Sequence, residues 1–352
     1  MPESILYDEI LEQPRVIQTI LDEESQHVND LAERLRGRFS HIVIAARGSS
    51  DNAARYAQYL FGAHNRLPVG LATPSLFTLY LQPPMLSDSL VIGISQSGQS
   101  PDIVAVLGEA KNQGQPTLAI TNDLRSPLAQ TADHVIRLHA GLERSIAATK
   151  TYTASLAILA LLSASLGAPG SKHANTGFLT QLHKVPAWMR QTLEGLANPL
   201  LHTERYRYME QCTVIGRGYN YSTAFEIALK VKELTHLLAE PYSSADFRHG
   251  PIAVIHRGFP VILIISSGAI SMHMVEMLEE LHRLNSEVIL ISDMPELFSQ
   301  ARMALPIPQH IPEWLSPMVN VLPGQLFSYH LTVEKGLNPD HPEGLTKVTE
   351  TY

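Results

Sequence analysis

Leu90-Val91-Ile92-Gly93-Ile94-Ser95-Gln96-Ser97-Gly98-Gln99-Ser100-Pro101 decides how the chain is read. A short apolar run gives way to a turn dense in serine, and Pro101-Asp102-Ile103 then opens a segment with helical spacing, VAVLGEAKNQG. Strand, hydroxyl-rich turn and helix in that order predict one unit of a parallel sheet covered by helices. Ligands of such sheets bind beyond the carboxyl ends of the strands, where this turn falls. Ser100 suits an N-cap and Pro101 the first helical turn. Free N–H groups and the positive end of the helix dipole then favour an anion in the turn. Ser95, Ser97 and Ser100 add hydroxyl donors, and Gly98 permits close backbone approach. The ARGSSDNA stretch, Ala46 to Ala53, repeats the design after an earlier apolar run, with Gly48, Ser49 and Ser50 at its centre. Serines cap helices everywhere, but two such turns on successive strands predict a phosphate cradle with few cations. G-x-x-x-x-G-K-[ST] and a full G-x-G-x-x-G are missing, so a small phosphorylated ligand fits better than a dinucleotide.

The design occurs twice. Arg47-Gly48 meets Arg217-Gly218 at an offset of 170, which also brings Ser97-Gly98 onto Ser267-Gly268 and Asp123 onto Asp293. HIVIAA falls on QCTVIG, LVIGI on VILII and PTLAI on EVILI, and one unbroken register over about 80 residues is expected of a duplication. The fold class is therefore α/β, two tandem parallel-sheet sandwiches of flavodoxin-like type. Domain 1 is expected over 38–166 and domain 2 over 201–336. Around them lie a helical arm over 1–37 broken near Pro14, a linker with one connecting helix over 167–200, and a tail over 337–352. The second turn, IISSGAI, lacks the extra hydroxyls and is expected to be a degenerate copy.

Composition narrows the class. The 352 residues are 45% apolar and 17% charged, as in globular proteins, and the net charge of −8 argues against broad nucleic-acid binding. Cys212 is the only cysteine, which excludes a disulfide or a cysteine-based metal framework. The N-terminus lacks a signal-peptide pattern. The longest apolar stretch, Ala154 to Leu166, is too short to span a bilayer and predicts a buried helix stopped by Gly167 and Pro169. A cytoplasmic protein without membrane partners is expected.

The ARGSS and ISQSGQS turns, the AGLERSIAATKTYT segment (Ala140 to Thr153) and the duplication resemble the sugar isomerase (SIS) domain, a phosphosugar-binding α/β fold. IGRGYNYSTAFEIALKVKE, AEPYSSADFRHGP and NPDHPEGLTKVTETY extend the resemblance to the isomerase half of glucosamine-6-phosphate synthase. On their own, Glu226, Lys230 and Glu233 at i, i+4 and i+7 form a solvated stripe of salt bridges, His249 a surface histidine and Lys347 part of a frayed tail. The resemblance gives them other roles. It implies that Glu233 shuttles a proton between C1 and C2 of the open-chain sugar. His249 would open the sugar ring from a neighbouring subunit, in a homodimer with shared active sites. Lys347 is implied in imine chemistry at the ketose carbonyl, and Lys230 in a place near the ring-opening machinery. Substrate contacts are implied for Gly48, Ser49, Ser50, Ser95, Gln96, Ser97, Ser100, Ala147 and Ala148. The residue types suit the chemistry: a carboxylate for proton transfer beside a carbonyl, an imidazole for ring opening, an amine for a Schiff base. Neither metal nor cofactor is required, and the histidines show no H-E-x-x-H pairing.

Two departures matter. Residue 2 is Pro, where the synthase has a nucleophilic cysteine at its mature N-terminus, so ammonia from glutamine is not expected of this chain. Ala148 stands where the synthase has a sugar-contacting serine. Without glutamine the same proton transfer runs most naturally towards ammonia release, as in the isomerase-type glucosamine-6-phosphate deaminases. A fructosamine-6-phosphate deglycase, a galactosamine-6-phosphate deaminase and a sugar-phosphate-sensing regulator remain open alternatives.

Overall fold

A computed structural model describes residues 4–168, 170–171, 173–196, 200 and 202–347. Pro2, Pro169 and the tail beyond Lys347 lie outside the described residues. The chain forms two compact units. One takes Arg15–Glu143, Lys150–His183 and Thr346–Tyr352, and the other Met1–Pro14, Arg144–Thr149 and Lys184–Leu345.

The unit beginning at Arg15 carries strands β1 (His41–Ala46), β2 (Val69–Leu71), β3 (Ser89–Ile94), β4 (Thr117–Thr121) and β5 (His134–Arg137), parallel throughout in the order β2-β1-β3-β4-β5. Every residue of β3 and β4 is buried, which is why these strands are continuous apolar runs without polar alternation. Helix α2 (Gly48–Asn65) follows β1 and α3 (Pro101–Asn112) follows β3. On one face Ile103, Val106 and Leu107 of α3 pack with Ala45, Val91, Ala119 and Leu128. Helix α4 (Lys150–Leu166) packs on α2 and is buried along its whole length. It ends where Gly167 turns left-handed at φ 73°.

The other unit repeats the plan with β6 (Gln211–Gly216), β7 (Leu238–Ser243), β8 (Pro260–Ile265), β9 (Glu287–Ser292) and β10 (Met303–Pro306), in the order β10-β9-β8-β6-β7. Numbered within each repeat, both orders are 2-1-3-4-5, the flavodoxin-like arrangement. Three longer helices complete it: α5 (Val185–Gly195), α6 (Asn220–Thr235) and α7 (Ser271–Arg283), with α8 (Ser316–Glu334) closing the sheet's far side against α6.

Strand pairing defines the duplication and corrects its register. Ile42 pairs with Val69 and Cys212 with Ala239, while Ala45 pairs with Gly93 and Ile215 with Leu263, so an offset of 170 relates the first three strands. Val91 pairs with Thr117 but Val261 with Val288, one residue later. LVIGI therefore superposes on PVILI, and Asn122 rather than Asp123 matches Asp293. The extra residue is accommodated by α7, with 13 residues against 12 in α3. A surface helix absorbs an insertion that a buried ladder cannot.

Two further expectations change. Helix α1 (Ile5–Leu35) continues through Pro14. Proline removes the N–H that the Ile10 carbonyl would accept. The buried Gln13 Nε2 donates to that carbonyl at 3.0 Å instead, and also to Gln325 Oε1 at 2.7 Å. Among its described residues the connecting segment holds more than one helix, Thr176–Leu182 and α5 being separate because Pro186 sits in the first turn of a new helix. Among the described residues no helix is long and apolar enough to cross a membrane.

Candidate active site

The ISQSGQS turn is held rigid from behind. The Gln96 carbonyl accepts from Asn122 N at 3.1 Å and Thr121 Oγ1 at 3.3 Å, and the Gly98 carbonyl from Leu128 N at 3.1 Å. Ser95 Oγ accepts from Gly98 N at 3.1 Å, and Ser97 Oγ from Gln99 N at 3.3 Å. Gly98 is left-handed (φ 63°) and a Cβ there would overlap the Ser126 side chain, so the turn requires glycine. Among the described residues the N–H groups of Gln96, Ser97 and Ser100 meet no acceptor. Ser100 is the N-cap of α3, yet its hydroxyl makes no cap bond. The turn thus offers amide and hydroxyl donors at a helix N-terminus.

One cation belongs to this place. Arg47, the N-cap of α2, donates from Nε to Asp102 Oδ2 at 2.9 Å. The Asp102 side chain is 1% exposed and that of Arg47 52%. Asp102 Oδ1 also accepts from Ile103 N, so the carboxylate is fixed in the first turn of α3. The pair ties the Arg47–Ser50 turn to the ISQSGQS turn. The sequence contains both residues, but nothing local marks partners 55 residues apart.

On α6 the expected solvated stripe is buried. Lys230 is 1% exposed at its side chain, 2.5 Å from Glu233 Oε2 and 3.5 Å from Glu226 Oε1. The Glu226 side chain is fully buried, whereas that of Glu233 keeps 24% exposure. The i, i+4, i+7 spacing holds, but Glu226 and Lys230 are buried and only Glu233 keeps an exposed edge. The result is a carboxylate with one oxygen fixed by a buried ammonium and its edge accessible, suited to proton transfer. Gly216 lets α6 start close against β6, since a Cβ there would overlap the Asn220 carbonyl. His249, at the end of the short helix Ser244–Arg248, is exposed, and no hydrogen bond joins it to Glu233 or Lys230 among the described residues.

Two buried carboxylates shape the AGLERSIAATK segment. Glu9 accepts from the Arg144 and Ser145 N–H groups at 2.6 and 3.2 Å. Glu143 accepts from Thr151 N and Oγ1, and from Lys347 Nζ at 2.8 Å. Lys347 is thus held rather than frayed. Ala147 is buried, its carbonyl accepting from Ser145 Oγ at 3.1 Å, and Ala148 is half-buried. Neither Glu9 nor Glu143 was apparent from the sequence, where their partners stand 135 and 204 residues away. Among the described residues no group of three or more His, Cys, Asp or Glu side chains is placed to hold a metal ion.

The repeated parallel sheet, each copy ordered 2-1-3-4-5 and the first with a serine turn beyond its third strand, has counterparts among known proteins. The SIS domain family matches residues 38–165 and 209–335; the chain belongs to it. Glutamine–fructose-6-phosphate aminotransferase (isomerizing) of Pyrococcus horikoshii is 33% identical over 350 residues, covering 98% of this chain. The chain spans 57% of that relative's length. The C-terminal domain of glucosamine-fructose-6-phosphate aminotransferase from Francisella tularensis superposes with a TM-score of 0.86 at 26% identity, covering 97% of this chain and 98% of the other. Glucosamine-6-phosphate deaminase from Thermotoga maritima superposes at 0.79 with 19% identity, covering 99% of this chain and all of the other, a likeness of fold alone.

Proposed function

We propose that this chain isomerises an amino-sugar phosphate and releases its nitrogen, converting glucosamine 6-phosphate and water into fructose 6-phosphate and ammonia. The observation that carries the reading is the Glu233 carboxylate, fixed at one oxygen by buried Lys230 and partly open at its edge. Its proposed task is to take the C2 proton of the open-chain sugar and return it at C1. The C1 carbonyl oxygen gains a proton as the C2 amine becomes an imine, and water adds at C2 to expel ammonia. The names of the Pyrococcus and Francisella relatives support fructose 6-phosphate and glucosamine chemistry.

Phosphate is assigned to the donors of Ser95, Gln96, Ser97 and Ser100, with Gly48, Ser49 and Ser50 beside them, and the remaining sugar contacts to Ala147 and Ala148. Lys347 is assigned to the C2 imine. Lys347 meets Glu143 at 2.8 Å, and imine chemistry at C2 requires that this amine first leave the carboxylate and give up its proton. His249 is assigned to ring opening, supplied by a second copy of the chain in a homodimer. Sugar phosphates are intracellular metabolites, so the reading carries a cytoplasmic location with it.

The test is ammonia release from a panel of amino-sugar phosphates with no metal added. Release from glucosamine 6-phosphate is expected. Exchange of the C2 proton without ammonia would leave an isomerase and refute deamination. Tight binding with neither would point to a sensor.

A further inference from the structure

Ser266–Ile270, between β8 and α7, is the second repeat's counterpart of the ISQSGQS turn, yet two of its N–H groups are already engaged by carboxylates. Ser267 N donates to Asp293 Oδ1 and Ala269 N to Glu313 Oε2, both at 2.8 Å. A Cβ at Gly268 would overlap the Glu313 carboxylate. Gly218, left-handed at φ 60° in the turn after β6, lies on the other side, where a Cβ would stand 3.9 Å from Glu313 Oε1. The carboxylate therefore sits between the two glycine turns of its own sheet, the relation a phosphate would have to residues 46–53 and 94–100 in the first repeat.

The carboxylate is built into that position. Trp314 and Leu315, next in the chain, are buried. The Glu313 carbonyl accepts from Ser316 Oγ at 2.7 Å, and that hydroxyl accepts from the buried Asn220 Nδ2 at 2.8 Å. Burial, with the nearby Glu313 charge, pushes the Tyr219 hydroxyl up to about 12. The first repeat's Arg47–Asp102 pair has no equivalent: Met272 replaces the aspartate, and Arg217 forms no ion pair among the described residues.

We propose that Glu313 is the resident anion of the second repeat, a carboxylate that holds the phosphate position so that each chain takes one phosphate rather than two. Removing the charge frees the Ala269 N–H and opens a second site for a phosphate monoester or inorganic phosphate beside Gly268, Gly218 and Arg217, with Ser267 N still held by Asp293. The proposal rests on the assignment of phosphate to the first repeat's turn but not on deamination, and the site it predicts lies in a turn to which that reading assigns nothing.

Titration of the full chain with inorganic phosphate by calorimetry tests it, together with tungstate-soaked crystals that locate the bound oxyanions. Wild type should bind one per chain, and Glu313→Ala one more, with new tungstate density beside Gly268. Should Glu313→Ala fold poorly, Glu313→Gln keeps the size without the charge, and phosphate should raise its Tm more steeply than that of wild type. Gly268→Ala adds an independent reading. At φ 155° alanine is strained in both backgrounds, but only wild type also has a carboxylate to evict, so the substitution should cost less in Glu313→Ala than in wild type. Unchanged stoichiometry and no density beside Gly268, or the same cost of Gly268→Ala in both backgrounds, would overturn the proposal. Loss of binding at residues 95–100 in wild type would count against the first cradle only.

Discussion

Lys230 Nζ stands 2.5 Å from Glu233 Oε2 while the fully buried Glu226 carboxylate lies 3.5 Å away on its other side. One buried cation therefore serves two carboxylates, one structural and one with an accessible edge. Lys230→Met should destabilise the chain by about 3–5 kcal/mol, because the buried Glu226 carboxylate loses the cation beside it. Urea unfolding should show Glu226→Leu in the same chain recovering much of that loss. A small effect of Lys230→Met alone would show that Glu226 does not depend on it.

Ser95 and Ser100 should separate binding from folding. Ser95 Oγ accepts from Gly98 N within the turn, whereas Ser100 Oγ makes no cap bond. Ser100→Ala should weaken glucosamine 6-phosphate by about 1–3 kcal/mol with Tm unchanged, and Ser95→Ala should lower both affinity and Tm. Equal Tm losses would place both hydroxyls in the fold and not at the ligand.

Arg47→Ala removes the cation that ties the two turns. KM for glucosamine 6-phosphate should rise about 10-fold with a smaller change in kcat as the two turns lose their tie, and Tm should fall because the buried Asp102 carboxylate loses its cation. Arg47→Lys should recover only part, since a point charge does not reproduce the guanidinium fork. A fall in kcat at unchanged KM would contradict the placement.

Acid should destabilise the unit that carries α2. Burial lowers the His64 imidazole to about 4 from its usual 6.5, with the ring against Phe178 at 4.3 Å. Between those values the unfolded chain binds a proton that the folded chain refuses, so stability falls as pH drops from 6.5 towards 4 and is flat above. His64→Phe keeps the ring contact and should flatten that slope in denaturation series at pH 7, 6, 5 and 4.5. An unaltered slope would assign the acid sensitivity to other groups.

The sheets were legible in the sequence because buried strands leave continuous apolar runs, and β3 and β4 are buried throughout. The serine turn was legible because its function needs several hydroxyls in a few residues. Long-range pairing was not. Arg47–Asp102, Glu9 with the Arg144 and Ser145 amides, and Glu143–Lys347 join residues whose separation carries no periodic signal. The stripe on α6 was visible as spacing, but spacing alone does not say which way a helix faces. Pro14 was misread for a related reason: the break it should cause is repaired by Gln13, a neighbour whose side chain the periodicity ignores.

The most direct test of the account follows the C2 proton. Wild type incubated with glucosamine 6-phosphate in deuterated water should exchange that proton and release ammonia with fructose 6-phosphate. Glu233→Gln retains the size and most hydrogen bonds of the side chain but lacks a base, so it should bind the sugar phosphate with similar affinity and do neither. Persistent exchange or ammonia release in a folded Glu233→Gln protein would contradict the assignment of Glu233 as the base.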